Sequence, residues 1–186
     1  DLFLSEMHDS KFYVGINACK YQLEIIRYFK MHKLDFKYAI TDARLTLPTD
    51  ASAYQTALSL MQKDNEKFDL IWFSHTKGSN SQQYNDLVAQ LIELYLKKEN
   101  VAKHFLAHPK CGLYATSGVV YPKVRPFINR YATFRYPPLL LSPLYSCYAI
   151  RGKLVRNFLT KCNDIFFTEK LPNGHFFEFD FPQITF

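Results

Sequence analysis

The stretch FDLIWFSHTKGSNS, residues 68–81, joins the most apolar run of the chain directly to a histidine, a lysine and a glycine. Its core, DLIWFS (69–74), is apolar on both faces of an extended chain, the pattern of a strand buried inside a sheet. In open α/β sheets, ligands bind just beyond the carboxyl ends of such strands. His75, Thr76, Lys77 and Gly78 fall at that point. Two-residue periodicity puts His75 and Lys77 on one side if the strand continues. Gly78 permits a turn and a close approach of backbone to ligand. Ser79, Asn80 and Ser81 suit the cap of a following helix, whose first N–H groups then point outward. A lysine, a histidine and a helix N-terminus together suit a phosphate. The same residues also satisfy a plainer reading, an exposed strand end with an ordinary cap. Neither the Walker A pattern G-x-x-x-x-G-K-[ST] nor G-x-G-x-x-G occurs.

Outward from this stretch, strand and helix patterns alternate. KFYVGINA (11–18) and DFKYAI (35–40) read as strands. YQLEIIRYFKMH (21–32) reads as a helix with Ile25, Tyr28, Phe29 and His32 on one face. Residues 51–68 begin as a helix with Tyr54, Ala57, Leu58 and Met61 to one side, capped by Thr49 or Asp50. After residue 81 a long helix carries Tyr84, Leu87, Val88, Leu91, Ile92 and Tyr95 at helical spacing, with Lys97 and Lys98 at its negative end. Strand–helix alternation repeated three times predicts an α/β fold with a mainly parallel sheet flanked by helices.

The second half is less regular. CGLYATSGVVYPK (111–123) suits a strand and a turn, and LYSCYAIRG (144–152) a strand. Between them, 125–143 is basic, aromatic and broken by Pro137, Pro138 and Pro143, which argues against regular structure. KLVRNFLTKC (153–162) places Leu154, Val155, Phe158, Leu159 and Cys162 on one helical face. Asn-Gly within LPNGHFFEFDF (171–181) signals a hairpin. No repeat, low-complexity tract or linker divides residues 1–186, so one domain is expected.

Composition bounds the function. With 48% apolar and 22% charged residues the chain is globular, not disordered. The 13 Tyr and 17 Phe can fill a core or stack on bases and sugars. A formal charge of +6 favours anionic partners, or serves solubility alone. Cys19, Cys111, Cys147 and Cys162 form no C-x-x-C pair, which argues against a zinc site of that kind. Reduced thiols suggest an intracellular, cytoplasmic setting. No signal peptide and no apolar run near ~18 residues is present. The first residue is Asp, which suggests a processed or trimmed chain or a piece of a longer one.

The strand-HTKG block resembles one in glycosyltransferase-like proteins of bacteria and viruses, including those similar to rhamnan-synthesis glycosyltransferases. PTDASAYQTAL (48–58), with Asp50 and Tyr54, resembles that group's Asp-plus-aromatic segment ahead of a helix. SPLYSCYAIRGKLVRNFL (142–159) is similar to its later strand and basic helix start, and GHFFEFDF (174–181) to its late aromatic–Glu strand. The resemblance implies a three-layer, GT-A-like fold with a Rossmann-like N-terminal half. It implies transfer of a sugar from a nucleotide-sugar donor to a glycan or other hydroxyl acceptor. Two features depart from the group. No D-x-D follows a central strand to hold a divalent ion, manganese or magnesium, on the diphosphate. Lys77 and His75 occupy roughly that place and can supply the charge directly. The length, 186 residues, is also short for such an enzyme, so that an acceptor-binding part is reduced or missing or lies outside this sequence.

Under this resemblance the donor lies along the carboxyl edge of the first three strands. Asn17 and Asp42 contact base or ribose; Asp50, beside Tyr54, contacts ribose or sugar hydroxyls. His75 and Lys77, with Thr76 and Gly78 beside them, face the diphosphate, and Arg44 is a second cation for it. Glu178 and Asp180 share a strand face, and one is the general base for the acceptor hydroxyl. Tyr145 and Ser146 line the acceptor side, while Tyr148 belongs to the core. Plainer roles compete: caps for Asp42 and Asp50, an exposed edge for Glu178 and Asp180. Two other functions compete as well. One is a catalytically degenerate nucleotide-sugar-binding domain. The other is a nucleic-acid module, in which Arg125, Arg130 and Arg135 alternate with Phe127, Tyr131, Phe134 and Tyr136. No RNP, KH or zinc motif supports that last reading.

Overall fold

The computed structural model describes residues 9–41, 50–75, 82–116, 118–121, 140–143 and 147–168. They form a mixed α/β structure of five helices and three small sheets. β1 (Lys11–Ile16) and β2 (Asp35–Ile40) pair in parallel, from Lys11↔Asp35 to Ile16↔Ile40, and α1 (Gln22–Met31) connects them. Alternate residues of β1 face opposite ways. Phe12 meets Phe29 of α1 at 5.9 Å between ring centroids, while Tyr13 meets Phe68 at the same separation. α2 (Asp50–Asp64) covers the Tyr13 face. Its backbone rests on the strand at Gly15, where an added Cβ would lie 1.8 Å from the Ala53 carbonyl oxygen. Gly15 is thus required by close approach. The first turn of α2 sits at the carboxyl end of β1, and its last residue, Asp64, sits by Lys11 and Tyr13 at the strand's start.

β3 (Leu70–Phe73) and β4 (Leu113–Ala115) flank β7 (Tyr148–Arg151), both antiparallel to it. β7 is the centre of the molecule: Tyr148, Ala149 and Ile150 are fully buried. Tyr148 and Ile150 join Tyr54, Leu58 and Met61 of α2 and Val155, Phe158 and Leu159 of α5 (Gly152–Thr168). Ala149 joins the opposite core with Leu96, Val101 and Phe105, around α3 (Gln82–Tyr95) and α4 (Lys98–Ala107). Helices therefore cover both faces of this sheet. α5 starts directly from β7, and Gly152 lets it pass the β3 entry: a Cβ there would be 1.9 Å from the Phe68 carbonyl oxygen. Gly152 N–H donates to Asp69 O at 2.8 Å, and Arg156 Nη1 to Phe68 O at 2.9 Å. β5 (Gly118–Tyr121) and β6 (Leu140–Pro143) form a separate antiparallel pair.

Several expectations need correction. Among the described residues only β1–β2 is parallel; the other three pairings are antiparallel. β7 inserts between β3 and β4 from far along the chain, so long-range closure rather than local alternation decides the direction. The long helix expected after residue 81 breaks at Leu96–Lys97 and restarts as α4. Lys97 and Lys98 thus stand at a helix start instead of a helix end. The break turns Leu96 into the same core as Val101 and Phe105, and Asn100 Nδ2 donates to Leu94 O at 3.0 Å across it. In α1 the face of Ile25, Tyr28, Phe29 and His32 is half-buried as a group, and Ile26 beside it is the buried residue. Pro143 closes β6, where irregular chain was expected; a proline at a strand end removes no interior ladder bond. The 171–181 hairpin lies outside the described residues. No helix among them is long and apolar enough to cross a membrane.

Candidate functional site at a shared carboxyl edge

Asn17 follows β1, Thr41 follows β2, and Ser52 lies in the first turn of α2. Thr41 N–H donates to Ile16 O at 2.8 Å, which carries the β1–β2 pairing one step further. Asn17 Oδ1 then accepts from Thr41 Oγ1 at 3.1 Å and from Ser52 Oγ at 3.0 Å. Ala18 N–H donates to Thr41 Oγ1 at 3.3 Å. Thr41 and Ser52 are each 5% exposed, so these bonds are what makes their burial tolerable. The network pins the ends of two strands to the start of a helix. It also engages the Asn17 side-chain oxygen in this linkage.

β3 ends at Phe73, and His75 is two residues on. Extended periodicity keeps both on the α2 side. Tyr54 accordingly meets Phe73 at 5.4 Å and His75 edge-to-face at 6.0 Å. Phe73 in turn stacks on Tyr148 at 5.1 Å. With Phe68 beside Tyr13 at one end and His75 beside Tyr54 at the other, β3 runs in the direction of β1. The two strands do not pair. Between them lies a cleft of about 1270 Å³, lined by both strands, by Tyr54, Leu58 and Met61, and by Asn17 and His75. Ligand pockets commonly occupy about 300–1,000 Å³, so this one is ample for a small ligand.

Of the residues predicted from sequence, the structure brings Asn17, Tyr54 and His75 to this edge. Asp50 opens α2 above it, with only its backbone described. Asp42, Arg44, Thr76, Lys77, Gly78, Tyr145, Ser146, Glu178 and Asp180 lie outside the described residues. Tyr148 is core, as expected. Sequence reasoning missed Thr41 and Ser52. The available signal was a small hydroxyl residue directly after one strand and another at a helix start.

The charged cluster lies at the opposite end of the strands. Asp64, the last residue of α2, stands at the negative end of that helix's dipole, an unfavourable place for a carboxylate. Lys37, Tyr13 and Lys11 compensate by hydrogen bonding, and they hold its pKa down at about 2. Burial, and then the bond to Asp64, push the Tyr13 hydroxyl pKa up. Lys11 is raised chiefly by its bond to Glu66. This cluster is architectural: it fastens the end of α2 to the start of β1 and β2.

At the carboxyl edge, the described side chains are an amide, hydroxyls and rings, without the carboxylates that magnesium or manganese take. Among the described residues no three His, Cys, Asp or Glu side chains already surround a common point as metal ligands would. Comparison of the chain with protein-family models, curated proteins and solved structures yields no match.

Proposed function

We propose that this chain binds a nucleotide-sugar donor along the carboxyl edge of β1, β2 and β3, in a GT-A-like manner, and transfers its sugar to a hydroxyl acceptor. One observation carries the reading. Asn17, Tyr54 and His75, far apart in sequence, converge beside the opening between β1 and β3. The chain then continues from His75 directly into Thr76, Lys77 and Gly78. The start of α2 supplies a positive helix end at the same edge, suited to phosphate oxygens. Tyr54, a buried ring in the cleft wall, holds His75 at this edge by its edge-to-face contact. His75 donates to the diphosphate, and Lys77 neutralises the charge that develops as it leaves. Glu178 or Asp180 takes the proton of the acceptor hydroxyl. That oxygen bonds to the anomeric carbon as the bond to the diphosphate breaks, which releases a nucleoside diphosphate.

The test is a thermal-shift panel of nucleoside diphosphates, followed by turnover of nucleotide sugars with and without manganese. The expected result is stabilisation by at least one diphosphate and metal-independent turnover, reduced about 100-fold or more in Lys77→Ala. Absence of any nucleotide response, or an unaltered response in Lys77→Ala and His75→Ala, overturns the assignment. Binding without turnover reduces it to a sugar-nucleotide-binding domain.

A further inference from the structure

We infer that the opening between β1 and β3 binds an extended segment of a partner polypeptide as an added strand. Every residue from Lys11 to Asn17 and from Phe68 to His75 lines it. Alternate residues of a strand point to opposite faces, so a lining of consecutive residues means that the opening faces the strand edges. Among the described residues β1 pairs only with β2, and β3 only with β7. The ladders decide which main-chain groups are left over. Thr41 N–H donates to Ile16 O, which in a parallel pair turns the N–H and C=O of Ile16, Val14 and Phe12 towards β2. Those of Tyr13 and Gly15 then face the opening. Gly152 N–H donates to Asp69 O, and the same antiparallel ladder engages Ile71 and Phe73 with β7. Leu70 and Trp72 direct their N–H and C=O groups the other way, into the opening. Two edges that run in the same direction thus face each other, each with main-chain donors and acceptors that no described strand takes up.

Size and lining decide what fits. At about 3.3 Å per residue, about 4.8 Å between strands and about 10 Å between layers, a six-residue strand takes up about 950 Å³. The opening of about 1270 Å³ has room for one such strand and not for two. Ile25 and Phe29 of α1 line one side of it, Leu58 and Met61 of α2 the other. An inserted segment therefore meets apolar side chains on both of its faces. A lipid chain matches that lining but leaves the facing N–H and C=O groups without partners, which burial makes costly. A peptide satisfies both edges, one residue bonding towards β1 and the next towards β3. The segment is a run of about six residues, apolar on both faces and free of proline. The chain's formal charge of +6 favours acidic residues beside that run. Its insertion joins two sheets into one, in the order β2, β1, peptide, β3, β7, β4. This inference is independent of the nucleotide-sugar reading.

The experiment selects peptides from a displayed random library on the unaltered chain, and the tightest binder is synthesised as the probe. An apolar, proline-free core with acidic flanks is expected. On saturation with the probe, hydrogen exchange resolved by NMR should slow about tenfold or more at the amides of Tyr13, Gly15, Leu70 and Trp72. It should slow far less at Val14 and Ile71, whose amides are already bonded to β2 and β7. N-methylation of the probe should weaken binding about tenfold at every core position, odd and even alike, because a strand between two edges uses each of its N–H groups. The inference is overturned by recovery of no binder, by displacement of the probe by a fatty acid or by self-association of the chain, by unchanged exchange at those four amides, or by an N-methyl effect confined to alternate positions, which marks binding to one edge.

Discussion

Single residues settle close approaches that no amount of apolar patterning expresses. Gly15 and Gly152 each face a backbone carbonyl that an added Cβ would reach within 2 Å, at 1.8 and 1.9 Å. Those oxygens belong to main chain and cannot swing aside. Gly15→Ala should therefore cost about 1–3 kcal/mol or more, the range for forced overpacking, read as a lowered urea midpoint. Asp64 gives a pH signature. Its pKa is about 2 in the fold, drawn down first by Lys37 and then by Tyr13 and Lys11. An unfolded aspartate titrates near ~4. A depressed folded value means the stabilisation is complete above about pH 4 and is lost as pH falls towards 2. Wild type should thus lose stability as pH falls from about 4 towards 2. Asp64→Asn should show a flatter profile there, with the two urea midpoints converging at the acid end.

At the scale of elements, helix ends decide how segments attach. α4 ends in carbonyls that no further turn can satisfy. Arg151, from the central strand, takes the oxygens of Phe105 and Cys111 and lies over the Phe105 ring at 4.8 Å. Arg151→Ala should destabilise the chain by about 1.5–3 kcal/mol, since charged hydrogen bonds are lost from partly buried carbonyls. Lysine should restore only part of this, lacking the planar fork. Hydrogen exchange should quicken selectively in the last turn of α4 and at Cys111. A uniform change across the sheet would contradict this local account. The α3–α4 break follows the same logic in reverse: helical periodicity runs through Tyr95, but burial of Leu96 beside Val101 and Phe105 requires a change of axis.

For the whole molecule, β7 is the strand on which the two cores depend. Tyr148 and Ile150 enter one, Cys147 and Ala149 the other. Ile150→Ala should cost about 2–5 kcal/mol, the range for emptying a tightly packed site. Ile40→Ala, on an edge strand and 41% exposed, should change stability by about 0.5 kcal/mol or less. Equilibrium denaturation of the two variants checks the contrast. A ligand in the β1–β3 cleft should in turn raise stability with concentration, by about 2.7 kcal/mol at a hundred times its Kd. A nucleoside diphosphate that does so in wild type and not in His75→Ala would place its site at this edge.

The sequence by itself determined the local alternation from Lys11 to Tyr95: β1, β2, α1, α2 and the apolar β3 are legible in local pattern, because each places its apolar residues within a few positions of one another. It also marked Asn17 and His75 as polar residues at strand ends, and Tyr54 as part of one helical face. Tertiary structure alone decided the rest. That β7 would enter antiparallel between β3 and β4 depends on contacts across most of the chain, which no local window contains. Thr41 and Ser52 became partners of Asn17 only when two strand ends and a helix start met. His104 and Cys111 came together only when a turn, held by an arginine from β7, folded one back on the other. Local pattern carries the free energy of burying one face; which buried faces meet is set by the single packing that satisfies them together.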